Sequence, residues 1–197
     1  MRRATKEDRK KVVDIIAESF EQNPSVNWAI KQDKKRSKRL RVLSEYAFNT
    51  ILRRKGVYLS SDEEGVILFY KENAYKEGLA DYIDQVKMAF GAVGLARVPL
   101  ILRTEAYKKK IRPQDGEFIY CWFYGVKINS RGHGAAYEMK NYLADVADQL
   151  QLPVYIETSV HKNTIAYKRW GYETYHEWYL EEKNKTLWFM KREVKSK

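Results

Sequence analysis

Residues 118–137 read FIYCWFYGVKINSRGHGAAY, and the order of chemistry along this stretch decides the fold. Positions 118–126 are aromatic or apolar on both faces of an extended chain, the composition of a strand buried in the middle of a sheet. The glycine-rich run Arg131-Gly132-His133-Gly134-Ala135-Ala136 follows. From about residue 134 to 150 apolar residues return at helical spacing, with Tyr137, Tyr142 or Leu143, Val146, Ala147 and Leu150 as the expected inward stripe. Val154-Tyr155-Ile156-Glu157-Thr158 then reads as a second strand. The order strand, glycine turn, helix, strand predicts a β-α-β unit.

Upstream, Thr5 with Glu7 and Asp8 opens a helix whose apolar positions are Val12, Val13, Ile15, Ile16 and Phe20, and Asn23-Pro24 stops it. A second helix over 33–54 buries Leu40, Leu43, Ala47 and Ile51, and Gly56 breaks it. Residues 57–60 and 65–70 predict an antiparallel hairpin through Asp62-Glu63-Glu64-Gly65. Between 79 and 110, Leu79, Ile83, Val86 and Phe90, then Leu100, Ile101 and Leu102, recur at spacings of three and four; breaks near Gly91, Gly94 and Pro99 divide the segment into two helices. Downstream, a short helix over 163–170 ends at Gly171, and residues 172–180 and 187–192 form a last strand pair around 181–186. The whole is α+β, read as a single domain over 1–197 without internal repeat or linker.

A glycine-rich turn between a buried strand and a helix gathers unpaired backbone N–H groups at the positive end of the helix dipole, where a phosphate is well held. Gly132 and Gly134 let the backbone approach a pyrophosphate, small Ala135 and Ala136 keep the helix start uncrowded, and Arg131 adds a charge. Glycine pairs also serve ordinary tight turns, so this run alone leaves both readings open.

The run resembles motif A of the GNAT N-acetyltransferases, R/Q-x-x-G-x-G/A, which Arg131, Gly134 and Ala136 match position for position. In that family a hydrophobic residue ends the preceding strand five positions before the Arg or Gln, and Val126 stands there. A later family motif, an Asn, a Tyr, and Gly-Phe or Gly-Tyr four residues on, resembles Asn163, Tyr167 and Gly171-Tyr172, with a shorter gap from Asn to Tyr than is usual. The resemblance is specific over about 118–179 and only topological before that, where these proteins have a strand, two helices and a hairpin. It implies a central, twisted, mostly antiparallel sheet of about six to seven strands flanked by helices, with the helices over 79–110 as an insertion. It also implies acetyl-CoA as cosubstrate, held by Tyr124, Gly125 and Val126 on a splayed strand, by residues 131–136 with His133 facing the phosphates, and by Asn163. An acetyl group would pass to a primary amine by direct attack in a ternary complex.

Aminolysis of a thioester needs a neutral amine, a polarised carbonyl and a proton donor for the departing thiolate. The resemblance offers the Val126 N–H for the carbonyl and Tyr167 as acid, a phenol of pKa about 10. Gly125 would ease the splay, or mark a plain glycine bulge. Glu157 is the candidate base, against the alternative of a structural strand residue; Tyr120 stands where some members carry a different glutamate.

Residues 23–28, the second helix and the segment 79–110 border the expected acceptor cleft. Trp28, Trp122 and Tyr120 serve as aromatic walls or as core packing. Lys87, Arg97, Arg103 and Lys108 to Lys110 would repel a polyamine unless Asp81, Asp84 and Glu105 face inward, so the expected acceptor is a modestly charged or acidic amine, small molecule or peptide.

Lys and Arg total 37 against 26 Asp and Glu, a formal +11 that attracts anions of every kind. A basic nucleic-acid-binding module is therefore the alternative from another class. Against it, the basic residues fall on predicted helices and the aromatic ones in a buried strand, whereas a stacking platform interleaves them on one exposed sheet. A third reading is the same fold binding the cofactor without catalysis. Cys121 is the single cysteine, so no intramolecular disulfide forms; it reads as inert packing. His161 and His176 have no identifiable partners, and no zinc spacing occurs, so no metal site is expected. No apolar run reaches the ~18 residues of a membrane span. The expectation is a cytoplasmic protein without membrane attachment, for which a homodimer is allowed.

Overall fold

The β-α-β unit read from the sequence forms the centre of a seven-stranded sheet in the computed structural model, which describes residues 1–181 and 184–194. Its strands are β1 (Arg2–Arg3), β2 (Val57–Leu59), β3 (Gly65–Lys71), β4 (Ile119–Val126), β5 (Val154–Thr158), β6 (Glu173–Leu180) and β7 (Lys185–Arg192). They lie in the order β1-β2-β3-β4-β5-β7-β6, and among the described residues only the β4–β5 pair is parallel. The helices are α1 (Arg9–Ser19), α2 (Pro24–Ala29), α3 (Arg36–Arg53), α4 (Leu79–Met88), α5 (Val98–Ile111), α6 (Ala135–Leu150) and α7 (His161–Arg169).

The period of two along β3 divides the core. Val66 and Leu68 face α1 and α3, where Val12, Ile16, Leu40 and Phe48 pack on them. Ile67 and Phe69 face the other way, into a cluster with Met139, Leu143 and Ala147 of α6 and Tyr167 of α7. The sheet is thus covered on both faces, which is why β4 is apolar on both.

Several local expectations need correction. β1 is implied only by the family's order of a strand before two helices, since two arginines carry no strand signal of their own. Asn23 starts a helix as well as following one: its side chain accepts the N–H groups of Ser25 and Val26 at 2.9 and 3.1 Å, and Pro24 occupies the first turn of α2. The buried stripe of α6 is Ala135, Met139, Leu143 and Ala147, while Tyr137 and Leu150 are exposed. The closing turn over 181–186 lies partly outside the described residues.

The largest correction concerns α4. Its buried residues are Asp81 and Asp84, and its apolar stripe of Leu79, Ile83, Val86 and Phe90 is exposed. The cause is Arg53 of α3, whose guanidinium holds Asp81 Oδ1 and Asp84 Oδ2, each at 2.8 Å. Asp81 Oδ2 also accepts the Tyr75 hydroxyl at 2.7 Å and the Gly78 N–H at 2.9 Å. Four directed polar contacts thus outweigh an apolar stripe that sequence periodicity would turn inward. A π turn over Ala89–Val93 and a 3-10 turn over Leu95–Arg97 lead from α4 into α5. No single helix among the described residues is long and apolar enough to cross a membrane; the α4–α5 pair together has the apolar length but is bent by 103°.

Candidate active site

The two parallel strands part in the middle of the molecule. β4 and β5 are paired at Ile119–Val154, Tyr120–Tyr155 and Cys121–Ile156, and among the described residues the pairing goes no further, although β4 runs on to Val126 and β5 to Thr158. The backbone of Val126 faces this gap. Its partner across β3 is Gly65, whose carbonyl accepts the Ser60 N–H at 3.0 Å and whose N–H goes to Ser60 Oγ at 2.8 Å, both on the far side. A pair of that kind exchanges no hydrogen bonds across β3–β4, so the N–H and C=O of Val126 point towards the β5 side.

Gly125 is required by packing. A Cβ there would stand 2.4 Å from Ser19 Oγ and 3.3 Å from the Phe20 ring, so glycine lets the end of α1 close on β4. The bulge on this strand lies elsewhere: Leu68 pairs with Phe123 and Phe69 with Cys121, which leaves Trp122 as the extra residue.

Beyond β4 comes the glycine turn. Gly132 and Gly134 take φ of 90° and 99°, and a Cβ at either would meet nothing within 4 Å. The first intrahelical bond of α6 runs from the Glu138 N–H to the Gly134 carbonyl at 2.9 Å, so the N–H groups of the first turn have no acceptor within the helix. Open space over left-handed glycines, beside a helix start and Arg131, fits a bulky anion. The Tyr124 hydroxyl donates to the Ala136 carbonyl and ties this turn to β4.

A cavity of about 1070 Å³ opens along the gap. Of the sequence-derived site, Tyr124, Gly125, Val126, Arg131, Ala136, Glu157, Asn163 and Tyr167 line it. Gly132, His133, Gly134 and Ala135 are on the turn beside it and contribute no wall. Tyr167 is buried on α7, its ring 5.5 Å from Trp170 and 5.8 Å from Tyr172. Burial pushes its phenol pKa up, so the hydroxyl keeps its proton throughout the neutral range. Asn163 Nδ2 donates to Thr158 Oγ1 at 3.4 Å, which holds α7 against the end of β5. Cys121 is buried and its thiol pKa is likewise pushed up, the setting of an inert thiol.

Glu157 is held more tightly than a free catalytic carboxylate. Oε1 accepts from Arg112 at 2.6 and 2.9 Å, and Oε2 stands 2.9 Å from Lys108 Nζ. Its side chain is only 6% exposed. Burial alone would raise its pKa, but Lys108 and Arg112 overcome that and leave it below the ordinary carboxylate value. Arg112 in turn stacks 3.7 Å over the Tyr120 ring, and Lys108 also binds Glu105 at 2.8 Å. No group of three or more His, Cys, Asp or Glu among the described residues is placed to hold a metal ion.

No protein-family model matches the sequence, and no curated protein does. Solved structures match over nearly the whole chain. A structure of histone acetyltransferase HPA2 and related acetyltransferase from Corynebacterium glutamicum is 20% identical with a TM-score of 0.72, covering 100% of this chain and 96% of its own. Arylalkylamine N-acetyltransferase 2 from Aedes aegypti is 13% identical, TM-score 0.67, covering 98% of each chain. The C-terminal condensation domain of Ebony, solved with beta-alanyl-dopamine, is 12% identical, TM-score 0.66, covering 97% of this chain and 96% of its own. The chain has the GNAT acetyltransferase fold.

Within this GNAT fold, sequence reasoning missed two sets of site residues. Trp170 lines the cavity with its ring between Tyr124 and Tyr167, at 5.7 and 5.5 Å. The signal for it was its place immediately before Gly171-Tyr172. The Lys108–Arg112 clamp on Glu157 had no signal, because its members are 45 or more residues away from Glu157 in the chain.

Proposed function

We propose that the protein is an acetyl-CoA-dependent N-acetyltransferase acting on a primary amine. The observation that carries this is the coincidence, in one cavity, of a parted parallel strand pair, a glycine turn on a helix start, and Tyr167. Residues 131–136 would hold the pyrophosphate, the β4 edge at Tyr124, Gly125 and Val126 the pantetheine arm, and Asn163 the far side. Bound there, acetyl-CoA supplies an activated acyl group: the C–N bond forms, the C–S bond breaks, one proton leaves nitrogen and one arrives at sulfur.

The chain's own groups meet the remaining requirements. The Val126 N–H donates a hydrogen bond to the carbonyl oxygen as charge develops on it. Tyr167, its proton tightly held, donates to the sulfur as a hydrogen bond strengthened by negative charge; complete transfer to a thiolate whose acid is near pKa ~8.5 is uphill for a phenol raised above ~10. The largely apolar cavity favours the neutral form of a bound amine, since burial disfavours an ammonium. A carboxylate with reduced proton affinity is a poor base, so we assign Glu157 to anchoring α5 instead.

Tyr167→Phe removes one hydrogen bond to a charged group, worth about 1.5–3 kcal/mol, so kcat is expected to fall roughly tenfold to a hundredfold with acetyl-CoA affinity retained. Steady-state kinetics beside calorimetric titration checks this, and an unchanged kcat removes Tyr167 from the reaction. A thermal-shift comparison tests the function class: acetyl-CoA at a hundredfold excess over its Kd stabilises by about 2.7 kcal/mol, and oligonucleotides give no shift. Stabilisation by oligonucleotides alone would favour the nucleic-acid-binding alternative suggested by the +11 charge.

A further inference from the structure

We infer that the acceptor is a primary amine carried on an extended apolar body, alkyl or aryl, rather than a polyamine or a small polar metabolite. This rests on the acetyltransferase reading and concerns the other half of the same cavity. Trp28 of α2, Tyr46 of α3, and Trp122 of β4 form its inner wall, and Val98 and Ile101 of α5 extend it outward. The three aromatic side chains are half-buried, as walls are, and Tyr46 meets Trp122 edge to face at 5.9 Å.

Charge on this wall does not suit a polycation. Among the described residues its only carboxylates are Glu105 and Glu157, and both are engaged by Lys108. Asp81 and Asp84, which could have attracted a polyamine, are turned away onto Arg53. A polyamine therefore finds no unengaged carboxylate on this wall. The repelling cations expected from the sequence do not stand on it either: of Lys87, Arg97, Arg103 and Lys108 to Lys110 only Lys108 lines the cavity, and it is spent on the two glutamates, while Lys185 binds Ser25 Oγ at 3.1 Å, so the expected leaning towards an acidic amine loses its basis.

The rim gives the length of the acceptor. Tyr82, Val86 and Leu102 line the cavity, yet Val86 is 56% and Leu102 64% exposed. They continue into the exposed stripe of Leu79, Ile83 and Phe90, which the pull of Arg53 on Asp81 and Asp84 turns outward. An apolar surface this continuous is uncommon on a protein unless something covers it. Its continuity with the cavity points to the substrate's own apolar body as the cover. The amine nitrogen would enter towards Val126 and Tyr167, and its chain would lie along α5 and out past Val86 and Leu102. Transfer yields the N-acetyl amide of that amine and free coenzyme A thiol.

The test measures thiol release from acetyl-CoA with ethylamine, butylamine, hexylamine, octylamine, phenethylamine, 2-aminoethanol and spermidine. The expected result is a kcat/KM that rises about twofold to fourfold per added methylene from ethylamine to octylamine, with spermidine and 2-aminoethanol at the bottom. Val86→Asp and Leu102→Asp, both at exposed positions that tolerate a carboxylate, are expected to raise KM for octylamine at least tenfold and to flatten the chain-length dependence. A preference for spermidine or 2-aminoethanol, or a flat series in the unmodified protein, overturns the inference. Calorimetry with acetyl-CoA on the same samples separates two failures. Binding without turnover of any apolar amine overturns the acceptor assignment alone, and absence of binding overturns the acetyltransferase reading with it.

Discussion

Gly134→Glu is expected to lower acetyl-CoA affinity more than a hundredfold, a loss of at least ~2.7 kcal/mol, while the protein stays folded. The substitution places a carboxylate where the first-turn N–H groups of α6 and Arg131 would meet a pyrophosphate, and like charges at such range repel strongly. Folding survives because the site is a surface turn in which a Cβ meets nothing within 4 Å. The left-handed φ of 99° costs a non-glycine residue about 1–3 kcal/mol, a strain that a Gly134→Ala control shares without the charge. Circular dichroism establishes the fold of both variants, and calorimetric titration reads the affinity. A folded Gly134→Glu protein that binds as tightly as the parent would remove residues 131–136 from the cofactor site.

Glu157→Gln is expected to cost about 3–5 kcal/mol of stability, because it leaves Arg112 and Lys108 in a buried setting without their counter-charge. For a chain of this length that lowers Tm by about 6–20 °C. The pH dependence has a definite sign. The folded-state pKa of Glu157 lies below its unfolded value, so its ionisation contributes stability that is fully present above about pH 4.3 and is lost as pH falls through the folded pKa. The parent protein therefore loses this contribution on acidification, and the variant does not have it to lose. Thermal melts from pH 3 to pH 7 measure both. The anchoring role assigned to Glu157 also predicts that the pH profile of kcat keeps its shape in the variant; an upward shift of the optimum would instead identify Glu157 as the base.

The sequence disclosed the fold where local signals and tertiary structure agree. β4, apolar on both faces, could only be a central strand, and the turn at 131–136 fixed where α6 begins and which strands are parallel. The later motif, through its resemblance to the family's, then located Asn163 and Tyr167, and both line the cavity. What stayed hidden depends on partners distant in the chain. Nothing local to α4 reveals that Arg53, some thirty residues upstream, binds Asp81 and Asp84 and turns the apolar stripe to solvent. Nothing local to β5 reveals that Lys108 of α5 and Arg112 just beyond it hold Glu157, the observation behind proposing it as an anchor rather than a base. The α6 stripe was misjudged for a smaller reason: Tyr137 and Met139, two positions apart, lie on nearly opposite faces of the helix, and the sheet selects Met139.

The most direct test of the account is the rate of free thiol release from acetyl-CoA across a panel of amines, measured for the parent protein and for Gly134→Glu side by side. Amine-dependent release by the parent that disappears in Gly134→Glu is the predicted result. Thiol release that ignores the amine, fails with every amine, or persists undiminished in Gly134→Glu would contradict it.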